Sequence, residues 1–189
     1  MSEVILGIDP GLTRCGFGII AKSKSRTVSF MRVGVIQSPS TMELSARLAL
    51  IGDEIGKVLD SEKPSRVAIE RVFSQKNLNT VIGIAQITGI ISYLCYQRNV
   101  PIVFHTPTEV KAAVTGSGKA GKEQVTMMVT KILKLKEIPK PADAADALAV
   151  AITSAWRGDT SSIANDLSTA ETAAQKKWRQ AIASSKKSK

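Results

Sequence analysis

Hydrophobic positions fall into two rhythms along this chain. Residues 3–9 (EVILGID) form an apolar stretch stopped by Pro10-Gly11, the pattern of a buried strand. Residues 16–22 and 27–37 are β-branched or alternating, with polar residues 23–26 as a turn between them. Three strands in quick succession predict antiparallel hairpins. From 41 to 60 the period changes: Leu44, Leu48, Ile51, Ile55 and Leu59 recur along one helical face, with Glu43 in the first turn. Pro64 resets the chain into a short strand at 66–70 (RVAIE). An Ile- and Gly-rich helix is predicted from 77 to 98, and a buried strand over 101–105. Helices over 107–114 and 122–135 flank a Gly-rich loop, and an Ala-rich helix covers 143–157 beyond Pro139 and Pro141. After Gly158 the chain turns to Ser, Thr, Ala and Lys with little to bury. Residues 1–157 are therefore expected to fold as one domain, and 158–189 to form a flexible basic tail with at most a transient helix.

Hairpins followed by alternating strands and helices predict a mixed α/β sheet with helices on both faces. Ligands of such sheets gather beyond the carboxyl ends of the parallel strands. Two strands end there on acids, Asp9 and Glu70. Turn chemistry alone accounts for an Asp before Pro-Gly, and that reading stays open for Asp9. In PADAADALAVA, Asp143 and Asp146 stand three apart and share a helix face. Asp143 is also placed to cap the helix. Asp146 lies a turn inside an apolar segment, where an ionised carboxylate requires a partner. The bases lie mostly elsewhere in the chain, and a divalent metal serves several acids at once. Oxygen-only ligands suit Mg²⁺ or Mn²⁺. Two such ions about 4 Å apart activate water and stabilise the leaving oxygen of a phosphodiester.

Charge adds the partner. The chain has 189 residues, with 26 Lys and Arg against 16 Asp and Glu, a net charge of +10. The excess is not confined to the tail, where six bases meet three acids. Such a balance suits a polyanion, nucleic acid first and acidic membrane second, with a generally soluble basic protein as the plainer reading. An acidic metal cluster inside a basic protein reads as a nuclease centre. Contiguous apolar runs stop short of the ~18 residues of a membrane span, and the N-terminus is no signal peptide. Cys15 and Cys95 are isolated, with no disulfide framework indicated. A cytoplasmic protein without a membrane partner is expected.

Four segments now combine. GIDPGLTRCGFGII, AIERVFSQKNLNT, TPTEVKAAVTGSGKAGKEQV and ADAADALAVAI, in this order between residues 3 and 157, resemble the RuvC-type Holliday junction resolvases. These are bacterial endonucleases of the ribonuclease H-like superfamily. The resemblance implies that superfamily's mixed five-stranded sheet with helices on both faces. It implies a homodimer that makes paired, metal-dependent nicks in strands of like polarity at four-way DNA junctions, in recombination and repair. It also implies the RuvAB branch-migration complex as a partner. The family's metal ligands map onto Asp9, Glu70, Asp143 and Asp146, which would hold two Mg²⁺ ions, with Mn²⁺ as a substitute. Its basic residues near the scissile phosphate map onto Lys111 and Lys122, and its base-stacking aromatic onto Phe73.

The residues themselves agree. Phe73 sits in a polar loop, where base stacking, worth ~1–3 kcal/mol per base, is more natural than a core role. Folding back onto the domain is the alternative. Lys111 lies on a short Ala- and Val-rich helix, where an ordinary solvated face is the other reading. Lys119 lies in the loop GSGKAG and Lys122 follows it; the loop lacks Walker spacing but lets backbone approach phosphates. Arg71, Gln75, Lys76 and Asn77 are further candidate DNA contacts, and His105 reads as structural. The helix 77–98 carries more apolar surface than one sheet face needs, so it is expected either to pack on its copy in a twofold dimer or to serve as a core helix. An actin-like ATPase would need a second domain. A junction binder without activity would gain nothing from acids beside phosphates.

Overall fold

The N-terminal apolar segments pair as a meander: β1 (Glu3–Asp9), β2 (Arg14–Lys22) and β3 (Val28–Gln37), each antiparallel to the next. The computed structural model describes residues 2–24, 26–71 and 78–157, without the side chains of residues 78 and 79. Phe73, Gln75, Lys76 and Asn77, and the tail 158–189, lie outside the described residues.

Helix α1 (Leu44–Glu62) follows, and it starts later than the hydrophobic spacing suggested. Glu43, not Thr41, is its N-cap, and the Glu43 carboxylate accepts from Ala46 N. Lys63, at φ 46°, ends the helix in a left-handed turn. The chain then runs through β4 (Arg66–Glu70), α2 (Leu78–Gln97), β5 (Ile102–His105), α3 (Pro107–Thr115), α4 (Lys122–Ile132) and α5 (Ala142–Arg157). Helix α3 opens on a full capping box between Thr106 and Glu109, with Pro107 in its first turn. Helix α4 stops short of residue 135 because Lys134 adopts φ 51°.

The sheet has five strands in the order β3-β2-β1-β4-β5, with β1, β4 and β5 parallel. The expected mixed sheet is therefore observed, and alternation along its strands divides the interior into two layers. Leu6, Ile8, Phe17, Ile19, Val67 and Ile69 face α1 and α2, where Ile51, Ile55, Ile87, Ile91 and Cys95 close the layer. Ile5, Ile20 and Ala68 face the other way, against α5 with α3 and α4 outside it. Leu148 and Ile152 on α5 are fully buried, each worth ~1.5–3 kcal/mol of apolar transfer.

Helix α5 comes unusually close to the sheet. It crosses the paired residues Gly7 and Gly18, where a Cβ on Gly7 would stand 2.2 Å from Ala147 O. Only residues without a side chain leave room for that approach. A third glycine, Gly16, pairs with Asp9 and lies 2.2 Å, by the same measure, from Asp143 O. The glycine seam thus sets the start of α5 beside the end of β1.

Helix α2 corrects one expectation. Over Thr80–Gln97 it is long and apolar enough, by length and composition, to span a bilayer, with mean hydropathy 1.2. The contiguous apolar runs understate it because single polar residues interrupt them. Ile87, Ile91 and Cys95 are buried in the core, while Ile82, Tyr93 and Tyr96 are exposed.

Candidate active site

The carboxyl ends of the parallel strands carry the chemistry. Ile8 pairs with Ile69, so Asp9 and Glu70 follow one step later at neighbouring strand ends. Asp146 comes from the first turns of α5, over the glycine seam. Asp9, Glu70 and Asp146 line one cleft of about 260 Å³ with Lys111 and Lys122, walled by Pro107, Val110 and Val125. Lys111 is delivered by α3 and Lys122 by the first residue of α4. Lys111 is thus turned into the acidic cleft, which decides between the two readings of its helix face.

Mutual repulsion and burial shape the acids. Burial, with the negative charges of Glu70, Asp146 and Asp143, pushes the Asp9 carboxyl up to about 7, although Lys122 pulls the other way. Glu70 is raised by burial and by Asp146, against Lys122 and Lys111. Burial also raises Asp146, with Lys122 opposing it. Lys122 Nζ stands 3.7 Å from Asp146 Oδ2, and its side chain is 81% exposed. It is a long, solvated pair that a stronger cation can displace.

Asp143 does not line this cleft, but it is near enough for its charge to act on Asp9 and Asp146. It borders an adjoining pocket with Gly11, Thr13, Arg14, Arg47, Thr80 and Gly83. Its Oδ2 is 2.9 Å from Arg14 Nε, yet that oxygen is buried and accepts no hydrogen bond. Asp143 sits inside the first turn of α5, where Ala144 N donates to Pro141 O, so capping is not its role. The expectation that bases lie mostly elsewhere is corrected here: Arg14 and Lys122 are at the acids. Arg14 was not among the expected site residues. Its signal is parity, since it precedes Gly16 by two on the β2 face that meets α5.

Hard oxygen donors, raised carboxyls and a buried Asp143 oxygen without a hydrogen bond fit a divalent cation. Among the described residues, however, no three acid, His or Cys side chains are gathered closely enough to enclose one ion. Asp143 and Asp146 pair with Arg14 and Lys122 instead. Lys119 is exposed on the loop before α4 and does not line the cleft. Arg71 N donates to His105 O, and its guanidinium lies 5.3 Å from the Phe104 ring. His105 is fully buried beside Glu70 in register, and burial lowers its pKa, which suits a structural residue.

Comparison with known proteins joins these observations. Residues 5–154 match the family model described as crossover junction endodeoxyribonuclease RuvC. A protein of that name from Saccharopolyspora erythraea is 56% identical over 153 residues, covering 81% of this chain and 77% of the relative. One from Paenarthrobacter aurescens is 48% identical over 187 residues, 99% of each chain. Thermus thermophilus RuvC, solved in complex with a Holliday junction substrate, superposes with a TM-score of 0.77 at 33% identity, covering 81% of this chain and 93% of that one. The chain belongs to the RuvC family of crossover junction endodeoxyribonucleases.

Proposed function

We propose that this protein resolves Holliday junctions by paired, metal-dependent nicks, acting in homologous recombination and DNA repair. The observation that carries this reading is the cleft itself, where three acids from two strand ends and a helix meet two lysines. Acids alone would repel a phosphodiester and lysines alone would only bind it. Together they suit a polyanion cut with the help of a cation.

Asp9, Glu70, Asp143 and Asp146 are the catalytic carboxylates and would hold two Mg²⁺ ions, with Mn²⁺ able to substitute. When bound, the ions supply activation of water and stabilisation of the leaving oxygen. The protein's own groups do the rest. Lys111 and Lys122 neutralise the scissile phosphate as it enters, and Lys122 exchanges its loose contact with Asp146 for the phosphate. Pro107, Val110 and Val125 give the cleft one apolar wall, which restricts water there. Lys119 and Arg71 would hold the junction outside the cleft, and Lys76 and Phe73 are further DNA contacts implied by the family pattern, Phe73 by base stacking.

The exposed Ile82, Tyr93 and Tyr96 of α2 form the apolar face for a second copy, giving a homodimer with two cleavage sites. The RuvAB branch-migration complex is the partner that would deliver the junction. A chromosomal substrate and two buried free thiols, Cys15 and Cys95, fit the cytoplasm, with no membrane partner. Incubation with synthetic four-way junctions, with Mg²⁺ or with EDTA, tests the proposal against duplex controls. Symmetric nicks in the junction only, and only with the metal, are expected. Equal cutting of duplex, or cutting in EDTA, would overturn it.

A further inference from the structure

We propose that Arg14 is a competing counter-ion built into the acidic centre, holding Asp143 in the metal-free protein and yielding it to a divalent cation. The inference rests on the metal-dependent reading above and adds a residue that controls loading. Three observations support it.

Arg14 is the cation closest to the one buried Asp143 oxygen that lacks a hydrogen bond, at 2.9 Å. The glycine seam enforces the encounter, because Gly16 lets the Asp143 backbone rest on β2 two residues from Arg14. Finally, the two arginines of this pocket are held differently. Arg47 is tied down, donating from Nε to Ser38 Oγ and from Nη2 to Thr13 Oγ1, both at 3.0 Å. Arg14 is 57% exposed, and its ion pair with Asp143 is its one tether among the described residues. A guanidinium so held can leave without breaking the fold.

The competition follows from charge. A cation and Arg14 cannot both sit against the same oxygen without mutual repulsion, so each raises the cost of the other. Once displaced, the guanidinium remains in the pocket it shares with Arg47, beside the acids and free to meet a phosphate. Arg14 is thus a positioning residue.

Direct Mn²⁺ binding to the full chain without DNA, read from the free-ion resonance signal, tests this. Wild type, Arg14→Gln, Arg14→Lys and Arg47→Gln are compared, with thermal melting to confirm folding. Arg14→Gln should tighten Mn²⁺ binding about three- to fivefold, the scale of a partly exposed ion pair. Arg14→Lys should stay near wild type because it keeps the charge. Arg47→Gln should change binding by less than about half as much, since its guanidinium is bonded to Ser38 and Thr13 rather than to Asp143. An Arg14→Gln protein that binds no tighter than wild type would overturn the inference. So would equal tightening by Arg47→Gln, which would reduce the effect to the general field. If no form bound Mn²⁺, the metal reading would fall and take this one with it.

Discussion

Asp9 is ordinarily ionised from about pH 4, but in the folded protein its carboxyl holds a proton to about 7. Between those values the folded state binds more protons than the unfolded one, so stability falls as pH rises. Above pH 7 that loss is complete. Asp9→Asn removes the penalty, and in EDTA at pH 8 it should raise unfolding free energy on the order of 2–4 kcal/mol. The gain should vanish toward pH 4; denaturant titrations at both pH values check the sign and size. The same variant, with Glu70→Gln and Asp146→Asn, should abolish nicking in Mg²⁺ while leaving junction binding within a few-fold, as measured by gel shift. Near-normal cleavage by any of the three would remove that acid from the ligand set. At this scale the sequence singled out the acids that the structure brings to the strand ends, because an acid at a strand end or inside an apolar helix is costly without a partner. It did not show Arg14, since an exposed base at a strand start costs nothing. Only the pairing of β2 beneath α5 gives it a role.

Elements position these side chains, and α5 does most of it. Gly7→Ala would place a methyl against the α5 backbone, so it should destabilise the fold by about 1–3 kcal/mol or more, the range for overpacking. Cleavage should fall further than stability alone explains, because Asp143 and Asp146 move with the helix. Comparing nicking rates well below the melting point separates the two effects. On α2, Ile82→Asp should turn a dimer into a monomer with little change in melting, as read by sedimentation. A stable dimer would place the interface elsewhere. The strands and helices were largely legible because each has a strong period and a clear stop. The misses share a cause. Glu43 caps with a side chain outside the favoured capping set, and Lys134 takes a left-handed conformation that favours glycine, so composition carries no mark of either. The span-like character of α2 was hidden for another reason: Gln86, Thr88 and Ser92 interrupt its apolar run without lowering its average much.

For the whole molecule, the charge of +10 predicts steep salt dependence. Each phosphate neutralised contributes a slope of about −0.9 in log affinity against log salt on duplex arms. A protein ending at Arg157 should still fold and cut, since both core layers are built from earlier residues. It should bind junction and duplex more weakly at low salt, with a shallower slope. An unchanged slope would remove the tail from the DNA. The order of the chain has one more consequence. The first acid arrives with β1, but α5, which carries the last two, is the final element of the described fold. It also fills one core layer, so that layer cannot close without it. During synthesis, then, the growing chain has no assembled cutting centre until residue 157 has left the ribosome. A chain that stops before α5 should therefore be inert rather than a stray nuclease, a safeguard for the genome that follows from topology.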